Sequence, residues 1–222
     1  MFDVSKSANH EMHGGSPLSY VTAQEDFWAG EFGDLYIGRN AGTHEIAAKT
    51  AMFARILSRT NGVASVRELG ANIGLNLLAI RNLLPSLDLQ AIEINTAAHD
   101  ELARIPGIRS ACGSLLDAVD WPQVDMAFTA GVLIHVNPDQ LPTAYQRLVE
   151  ASRRYVLVAE YYNPSPTAIP YRGHSDRLFK RDFAGEILEA YPSLHLVDYG
   201  FIYHRDPLFP TDDITWFLLE KR

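Results

Sequence analysis

Along most of the chain, short apolar runs alternate with segments in which apolar residues recur at helical spacing. The apolar runs predict buried strands at residues 64–69, 89–94, 108–112, 124–129 and 155–160. Helical patterns lie between or after them, at residues 74–84, 96–105, 137–152 and 179–190. Strands that alternate with helices form a parallel sheet that is covered on both faces. The pattern therefore predicts an α/β protein with a doubly wound, Rossmann-like sheet.

The end of the chain departs from this alternation. Residues 194–203 and 214–220 have strand patterns, and a turn rich in Pro and Asp joins them at 206–213. Too few residues separate the two runs for a crossover helix, so they are expected to pair as an antiparallel hairpin. We predict five βα units followed by this pair, which makes a mostly parallel sheet with an antiparallel edge strand. Residues 163–175, rich in Pro, Gly and Ser, are predicted as a loop.

The N-terminal part divides into two regions by composition. Residues 1–19 are polar and lack the apolar core of a secretory signal, so we interpret them as a disordered lead-in. Residues 20–62 contain an aromatic, acidic segment followed by an amphipathic helix at 43–60. This region is predicted to form a lid and a helix, and residues 63–222 to form the core domain.

Composition limits the kinds of partner that the protein is expected to bind. A formal net charge of −8 over 222 residues argues against nucleic acid, because no stripe of Lys and Arg is available to neutralise phosphates. The single cysteine, Cys112, rules out an internal disulfide and fits a reducing, cytoplasmic compartment. No apolar run reaches the roughly 18 residues of a membrane span, and no cluster has the spacing of a zinc site. We expect a small-molecule partner and no metal, and leave a homodimer open.

The stretch between the first predicted strand and its helix carries chemical information. It reads Glu68-Leu-Gly70-Ala-Asn-Ile-Gly74. Glycine lets the backbone turn sharply and approach a ligand where a Cβ atom would collide. Glu93 ends the second predicted strand, close to the interval of about 20 residues at which an acid accepts hydrogen bonds from ribose hydroxyls. Together these features predict a nucleoside-binding βαβ unit.

The details of the turn distinguish between cofactors. A dinucleotide-binding turn has the spacing G-x-G-x-x-G, whereas here Leu77 stands where the third glycine is expected. Glu68 would repel a pyrophosphate but suits a ligand with an ammonium group. The turn resembles motif I of class I S-adenosylmethionine (SAM) methyltransferases. That resemblance implies SAM as the cofactor, bound through its ribose and its amino-acid tail.

Longer segments extend the resemblance from about residue 20 to the C-terminus. They are residues 24–33 (QEDFWAGEFG) with Arg39-Asn40 behind them, 159–164 (AEYYNP), 170–174 (PYRGH), 179–183 (FKRDF) and 203–206 (YHRD). Together they resemble the pseudaminic acid biosynthesis-associated methylases, a family within the class I methyltransferases. The resemblance implies a methyl transferase found beside genes for nine-carbon acidic sugars, and it does not fix the acceptor. Our prediction is methyl transfer to O or N of a small polar acceptor, a sugar or a molecule related to nonulosonic acids.

Ligands of open α/β sheets bind beyond the carboxyl ends of the strands, and this rule selects most of the cofactor candidates. Glu93 is expected at the ribose, and the small residues Ala130 and Gly131 at the sulfonium. Aromatic side chains before the core are expected to fold over the cofactor as a lid, because aromatic faces attract cations. The cofactor candidates are Trp28, Tyr36, Arg39, Glu68, Gly70, Asn72, Gly74, Glu93, Ser114, Leu115, Ala130 and Gly131.

The remaining candidates concern catalysis and the acceptor. A general base helps methyl transfer only when the nucleophile arrives protonated, and the catalytic candidates at the mouth of the site are His135, Glu160 and Tyr161. Cations in an otherwise acidic chain can hold a carboxylate or a phosphate. The acceptor-binding candidates are Tyr162, Arg172, His174, Lys180 and His204. Each of these residues also has a purely structural interpretation, as a helix cap, a core tyrosine or a solvated surface group.

Other functions remain possible at this stage. One is a small-molecule N-methyltransferase of another pathway. A nicotinamide-dependent oxidoreductase would keep the fold and the acid but needs a tighter phosphate turn. A non-catalytic binding module on the same scaffold would bind the cofactor without turnover.

Overall fold

A seven-stranded sheet forms the centre of the protein in the computed structural model, which describes Tyr20, residues 22–37 and residues 43–222. The strands are β1 (Ser65–Leu69), β2 (Asp88–Glu93), β3 (Ile108–Cys112), β4 (Val124–Ala130), β5 (Ser152–Glu160), β6 (Thr167–Ala168), β7 (Phe179–Lys180), β8 (Leu194–Ile202) and β9 (Ile214–Lys221). The sheet order is β3-β2-β1-β4-β5-β9-β8, and β6 and β7 form a separate pair. The predicted lead-in, residues 1–19, lies outside the described residues.

Strand directions confirm the predicted fold class. The first five strands run parallel, and β9 runs antiparallel to both of its neighbours, β5 and β8. In the predicted edge pair, the reversed strand is therefore β9, the second strand from the edge, and β8 is the edge strand. Because β9 is reversed, its first residues lie beside the last residues of β5, where Thr215 pairs with Glu160.

Helices cover both faces of the sheet. They are α1 (Ala23–Ala29), α2 (Glu31–Ile37), α3 (Thr43–Leu57), α4 (Leu75–Leu83), α5 (Thr96–Ala103), α6 (Leu141–Ala151) and α7 (Phe183–Ala190), with 3-10 turns at Leu133–His135 and Pro138–Gln140. The prediction of five βα units was wrong in one place, because residues 113–123 join β3 to β4 without a helix. None of the helices in the described part of the chain is both long and apolar enough to cross a membrane.

Two predicted boundaries also change near the C-terminal third. A helix was predicted to start at Phe179, but Phe179 lies in β7, which pairs with β6. Strand β6 lies inside the segment that was predicted as a loop. The helix starts only after Asp182, whose carboxylate accepts a hydrogen bond from the Gly185 N–H at 2.8 Å. Asp is a strong N-cap residue, because it satisfies one of the unpaired N–H groups of the first turn.

The core has one layer on each face of the sheet. Alternate residues of a strand point to opposite faces, so in β4 Phe128 joins one layer and Ala127 joins the other. Phe128 meets Phe53 of α3, with ring centroids 5.4 Å apart, and both side chains are fully buried. Leu148 of α6 and Ile187 of α7 pack in the opposite layer. The two layers hold the carboxyl ends of the parallel strands at one edge.

Gly74 lets α4 start close to the neighbouring helix. It has φ +83°, and a Cβ atom there would lie 2.7 Å from Cδ1 of Leu102 on α5. Gly107 has a similar φ of +78°, but a Cβ atom there would meet nothing within 4 Å. Of these two glycines, only Gly74 therefore combines a left-handed backbone with a packing constraint.

We expect Gly74→Ala to lower the free energy of unfolding by about 2–4 kcal/mol, because backbone strain and overpacking add. The matched control, Gly107→Ala, should lose only the backbone part, about 1 kcal/mol. Urea denaturation of both variants measures the difference. Equal losses would show that α4 and α5 do not need the close approach at Gly74.

Candidate cofactor-binding site

A cavity of about 410 Å³ lies beyond the carboxyl ends of the parallel strands. This volume falls within the range of roughly 300–1,000 Å³ that is typical of small-molecule sites. Its wall contains residues from the ends of β1, β2, β4 and β5, from the loop after β3, and from α1, α2 and α3. Predicted site residues in the wall are Trp28, Tyr36, Glu68, Gly70, Asn72, Glu93, Ser114, Leu115, Ala130, Gly131, His135, Tyr161 and Arg172.

The other predicted site residues lie elsewhere. Those outside the wall are Gly74, Glu160, Tyr162, His174, Lys180 and His204. Arg39, predicted to contact the cofactor, lies outside the described residues. Gly74 serves the packing of α4 against α5 rather than the cavity surface.

The glycine turn after β1 is built for close approach. Gly70 has φ +81°, and a Cβ atom there would lie 2.7 Å from the side chain of Val132. Asn72 also has a positive φ, +48°. Its N–H donates to Oε2 of Glu93 at 2.7 Å, while the Asn95 N–H donates to Oε1 at 2.8 Å. Glu93 therefore joins the turn after β1 to the segment after β2.

Glu93 keeps the capacity to bind a ligand. Each carboxylate oxygen has two lone pairs, and the two closest backbone donors, Asn72 and Asn95, leave part of this capacity free. Burial raises the pKa of the Glu93 carboxyl, and the N–H groups of Asn95, Asn72 and Ile94 oppose that rise. These donors stabilise the charged form, which accepts hydrogen bonds from a diol.

Glu68 lies deeper, at the floor of the cavity. Its side chain is fully buried, and Oε1 accepts a hydrogen bond from Nδ2 of Asn76 at 2.6 Å. Oε2 has no hydrogen-bond partner within the described parts of the chain. Lys49 of α3 donates to the other end of the same amide, Oδ1 of Asn76, at 3.0 Å. A buried acceptor without a partner favours a ligand that brings a donor or a positive charge.

The aromatic N-terminal segment forms a roof over this site. Trp28 lines the cavity, and its ring lies 4.4 Å from the ring of His135, centroid to centroid. The rings of Phe32 and Tyr36 meet Trp28 edge-on at 5.3 Å. The roof also brings an acid, Glu25, to the Ser114 hydroxyl, which donates to it at 2.6 Å. Ser114, one of the predicted cofactor contacts, therefore holds the roof as well as lining the cavity.

Asn95 fastens the roof to the sheet. Its Oδ1 caps α5 by accepting from the Ala98 N–H at 2.8 Å. Its Nδ2 donates to Oδ1 of Asp34 at 2.8 Å and lies 3.3 Å from the carbonyl of Trp28. Gly33 passes so close that a Cβ atom there would lie 2.7 Å from this Nδ2. One side-chain amide thus caps the start of α5 and holds both roof helices.

His135 sits where its ring can accept a proton. Nδ1 lies 2.7 Å from the carbonyl oxygen of Arg177, so the neutral ring donates from Nδ1 and keeps Nε2 as an acceptor. Burial lowers the pKa of His135 to about 4, against the opposing effect of that hydrogen bond. The imidazole is therefore neutral at physiological pH.

The catalytic assignment of Glu160 needs correction. Its Oε1 accepts from the N–H groups of Val132 and Leu133, both at 3.1 Å, and Oε2 accepts from Ile134 at 3.4 Å. The carboxyl lies outside the cavity wall, and burial raises its pKa to about 7. Glu160 therefore holds the 3-10 turn that carries His135, and its role is positioning.

The two tyrosines after β5 separate because side chains alternate along an extended chain. Tyr161 faces the cavity, where its hydroxyl bonds Asp212, and this bond together with burial raises its pKa. Tyr162 points away, is 42% exposed and lies near Phe217, with ring centroids 5.8 Å apart. The assignment of Tyr162 to the acceptor is therefore corrected.

The predicted cationic cluster also splits. Lys180 lies over the Tyr161 ring at 5.1 Å, exposed His174 packs on Phe27, and His204 bonds Asp213 at 2.9 Å. None of these three side chains lines the cavity, which corrects their assignment to the acceptor. Arg172 lines the cavity, and in the described structure it has no carboxylate within ion-pair distance.

Sequence reasoning missed several wall residues: Lys49, Asn76, Asn95, Tyr171 and Asp212. Asn95 carried a usable signal, because an Asn two residues after a strand-end acid is a typical helix cap. Lys49 carried none, since it lies on one turn of an ordinary amphipathic helix. Within the described ranges, no group of three or more His, Cys, Asp or Glu side chains is arranged to hold a metal ion.

Solved structures resemble this architecture. Magnesium protoporphyrin IX methyltransferase (ChlM) from Synechocystis PCC 6803, with bound SAM, superposes with a TM-score of 0.67 at 11% identity, over 92% of this chain and 100% of that one. The chain has the class I methyltransferase fold. Burkholderia thailandensis 1,6-didemethyltoxoflavin-N1-methyltransferase, with bound 1,6-didemethyltoxoflavin and S-adenosylhomocysteine, gives a TM-score of 0.63 at 17% identity, over 89% of this chain and 86% of that one.

A third structure is similar over a slightly smaller part of the chain. The N-methyltransferase NodS from Bradyrhizobium japonicum WM9 gives a TM-score of 0.59 at 16% identity, over 82% of this chain and 98% of that one. No protein-family model and no curated protein sequence matches the chain. At these identities the likeness establishes the fold, and the chemistry has to be argued from the site.

We expect Asn95→Asp to release the roof, because the new carboxylate keeps the α5 cap but faces Asp34 and backbone carbonyls where the amide donated. Amide hydrogen exchange over residues 23–37 should become faster by about tenfold or more, while the core strands stay protected. Asn95→Ser, which caps the helix without the charge, is the matched control and should show a smaller effect. Unchanged exchange in the Asp variant would contradict the role of Asn95 as the fastener.

Proposed function

We propose that the protein is a SAM-dependent methyltransferase that methylates O or N of a small polar acceptor, a sugar or a molecule related to nonulosonic acids. The observation that carries this proposal is the pairing of Glu93 with the Gly70 turn at the cofactor end of a class I methyltransferase fold. Solved structures with this fold contain SAM or S-adenosylhomocysteine. The acceptor class follows the resemblance to the pseudaminic acid biosynthesis-associated methylases.

The residues of the cavity fit each part of this cofactor. Glu93 has free lone pairs for two ribose hydroxyls, and the turn at Gly70 leaves no room for a Cβ atom. Buried Glu68 offers an oxygen, Oε2, that has no partner among the described residues, which suits the ammonium of the amino-acid tail. The wall beside Ala130 and Gly131 has small side chains, and the ring of Trp28 provides a face that attracts a sulfonium.

The bound cofactor would supply a methyl group on a positively charged sulfur, already activated for in-line displacement. The protein then has to orient the acceptor, exclude water and remove a proton. Neutral His135 presents Nε2 as the base, held in place by the Arg177 carbonyl through Nδ1. Glu160 fixes the turn that carries this ring. Trp28 and its aromatic neighbours close the site against water.

Arg172 would recognise an acidic group on the acceptor. It lines the cavity next to Tyr171, with its guanidinium 5.4 Å from the centre of that ring. A guanidinium offers a bidentate fork to a carboxylate or a phosphate. Asp212, bonded to Tyr161, adds an acceptor for hydroxyl or amine hydrogens on the same side. This combination suits a hydroxylated molecule with one acidic group.

Calorimetry with S-adenosylhomocysteine tests the cofactor assignment. Glu93→Gln should weaken binding by about 1–3 kcal/mol, roughly 5- to 150-fold, because a charged acceptor of hydrogen bonds is lost. Glu101→Gln, on the exposed surface of α5, is the control and should bind as the wild type does. Wild-type and Glu93→Gln affinities that are equal would count against the proposal.

An acceptor screen with SAM, read by mass spectrometry for the gain of one methyl group, identifies the substrate among nucleotide sugars, nonulosonic acids and small amines. With that substrate, His135→Asn should lower kcat by about 10²- to 10⁴-fold, since its amide can still donate to the Arg177 carbonyl but has no counterpart of Nε2. Affinity for S-adenosylhomocysteine should stay within about twofold. An unchanged kcat would make His135 structural.

A further inference from the structure

Three side chains from three different elements form a chain at the floor of the cavity. Lys49 of α3 donates to Oδ1 of Asn76 at 3.0 Å, and Nδ2 of Asn76 donates to Oε1 of Glu68 at 2.6 Å. The amide orientation is fixed by these partners, because it faces a cation on one side and a carboxyl on the other. Glu68 is fully buried, and its second oxygen has no partner within the described residues.

The charges around Lys49, Asn76 and Glu68 do not cancel. The acid Glu93 faces Glu68 from β2, and Lys49 faces it from α3. Burial raises the pKa of Glu68, while the hydrogen bond from Asn76 and the charge of Lys49 oppose the rise. Burial lowers the pKa of Lys49, opposed by Glu68, Glu45 and Asp212. Full burial with a single hydrogen-bond donor therefore favours the protonated carboxyl until another positive charge arrives.

We propose that Glu68 binds the ammonium of the cofactor's amino-acid tail in a step that releases one proton, and that Lys49 is the positioning residue that assists this ionisation through Asn76. This inference rests on the proposed function. The protonated carboxyl loses its proton to solvent, and the resulting carboxylate pairs with the ammonium, so charge is conserved. A ligand that has the adenosine part without the amino-acid tail brings no cation and should release no proton.

The pH dependence follows from this exchange. Below the pKa of Glu68 in the free protein, binding has to remove a proton, and each unit by which the pH falls weakens binding by up to tenfold. Affinity for S-adenosylhomocysteine should therefore rise between pH 5.5 and 7.5. Affinity for 5′-methylthioadenosine, which lacks the tail, should stay flat over the same range.

Isothermal titration calorimetry of the full chain in buffers with different ionisation enthalpies measures the protons released. At pH 6.5 we expect close to one proton for S-adenosylhomocysteine and none for 5′-methylthioadenosine. Glu68→Gln should abolish the release and weaken only the ligand with the tail, by about tenfold or more. Glu93→Gln is the matched control, since it should weaken both ligands.

Lys49→Met separates positioning from direct contact. Removing the cation should shift the rise in S-adenosylhomocysteine affinity to higher pH and leave 5′-methylthioadenosine unaffected. A loss of affinity that is equal at every pH would mean that Lys49 contacts the ligand itself, which overturns the assignment. If Lys49→Met does not fold, the numbers of protons released by the wild type and by Asn76→Leu are compared instead. That comparison then tests whether Lys49 acts on Glu68 through Asn76.

The outcomes also separate this inference from the proposed function. If both ligands bind the wild type with similar affinity and without proton release, the role of Glu68 is wrong while the cofactor site stands. If neither ligand binds, the proposed function and this inference both fail.

Discussion

The Glu93 carboxylate is the interaction on which the site depends. It ends β2, yet its two oxygens accept N–H groups from Asn72 in the turn after β1 and from Asn95 before α5. A buried carboxylate is costly unless donors surround it, and here the donors come from two different segments, the turn after β1 and the residues before α5. The same charge that organises the two loops leaves lone pairs for a ligand, so the geometry of the site and its chemistry have one origin.

Elements with strong periodicity were predictable from sequence because the sheet is buried on both faces. The parallel strands and the helices after most of them follow from apolar runs and their spacing, and Glu93 follows from its interval to the glycine turn. The count of five βα units was wrong after β3, although the sequence has no helical pattern between residues 112 and 124. The prediction of a helix starting at Phe179 was wrong because its pairing partner, Ala168, lies in a segment whose composition predicts only a loop.

Side-chain direction was the harder part of the site. Glu160, Tyr161 and Tyr162 are adjacent in sequence, but only Tyr161 faces the cavity. The register of β5 decides this, and a shift of one residue would reverse it. Contacts between distant elements, such as Lys49 with Asn76, depend on how helices pack on the sheet, and no spacing rule encodes them. Site residues whose place is set by the backbone were therefore easier to predict than those whose contact with the cavity depends on side-chain rotamer and packing.

The reversal of β9 has a consequence for how this fold can diversify. Because β9 runs against β5, the connection that precedes it returns to the rim and supplies Thr211 and Asp212 to the cavity wall. Glu68 and Glu93 lie at the ends of β1 and β2, which belong to the other half of the sheet. Insertions in the hairpin can therefore reshape one side of the pocket while the half that carries Glu68 and Glu93 is left untouched. New specificities on this scaffold should arise there first.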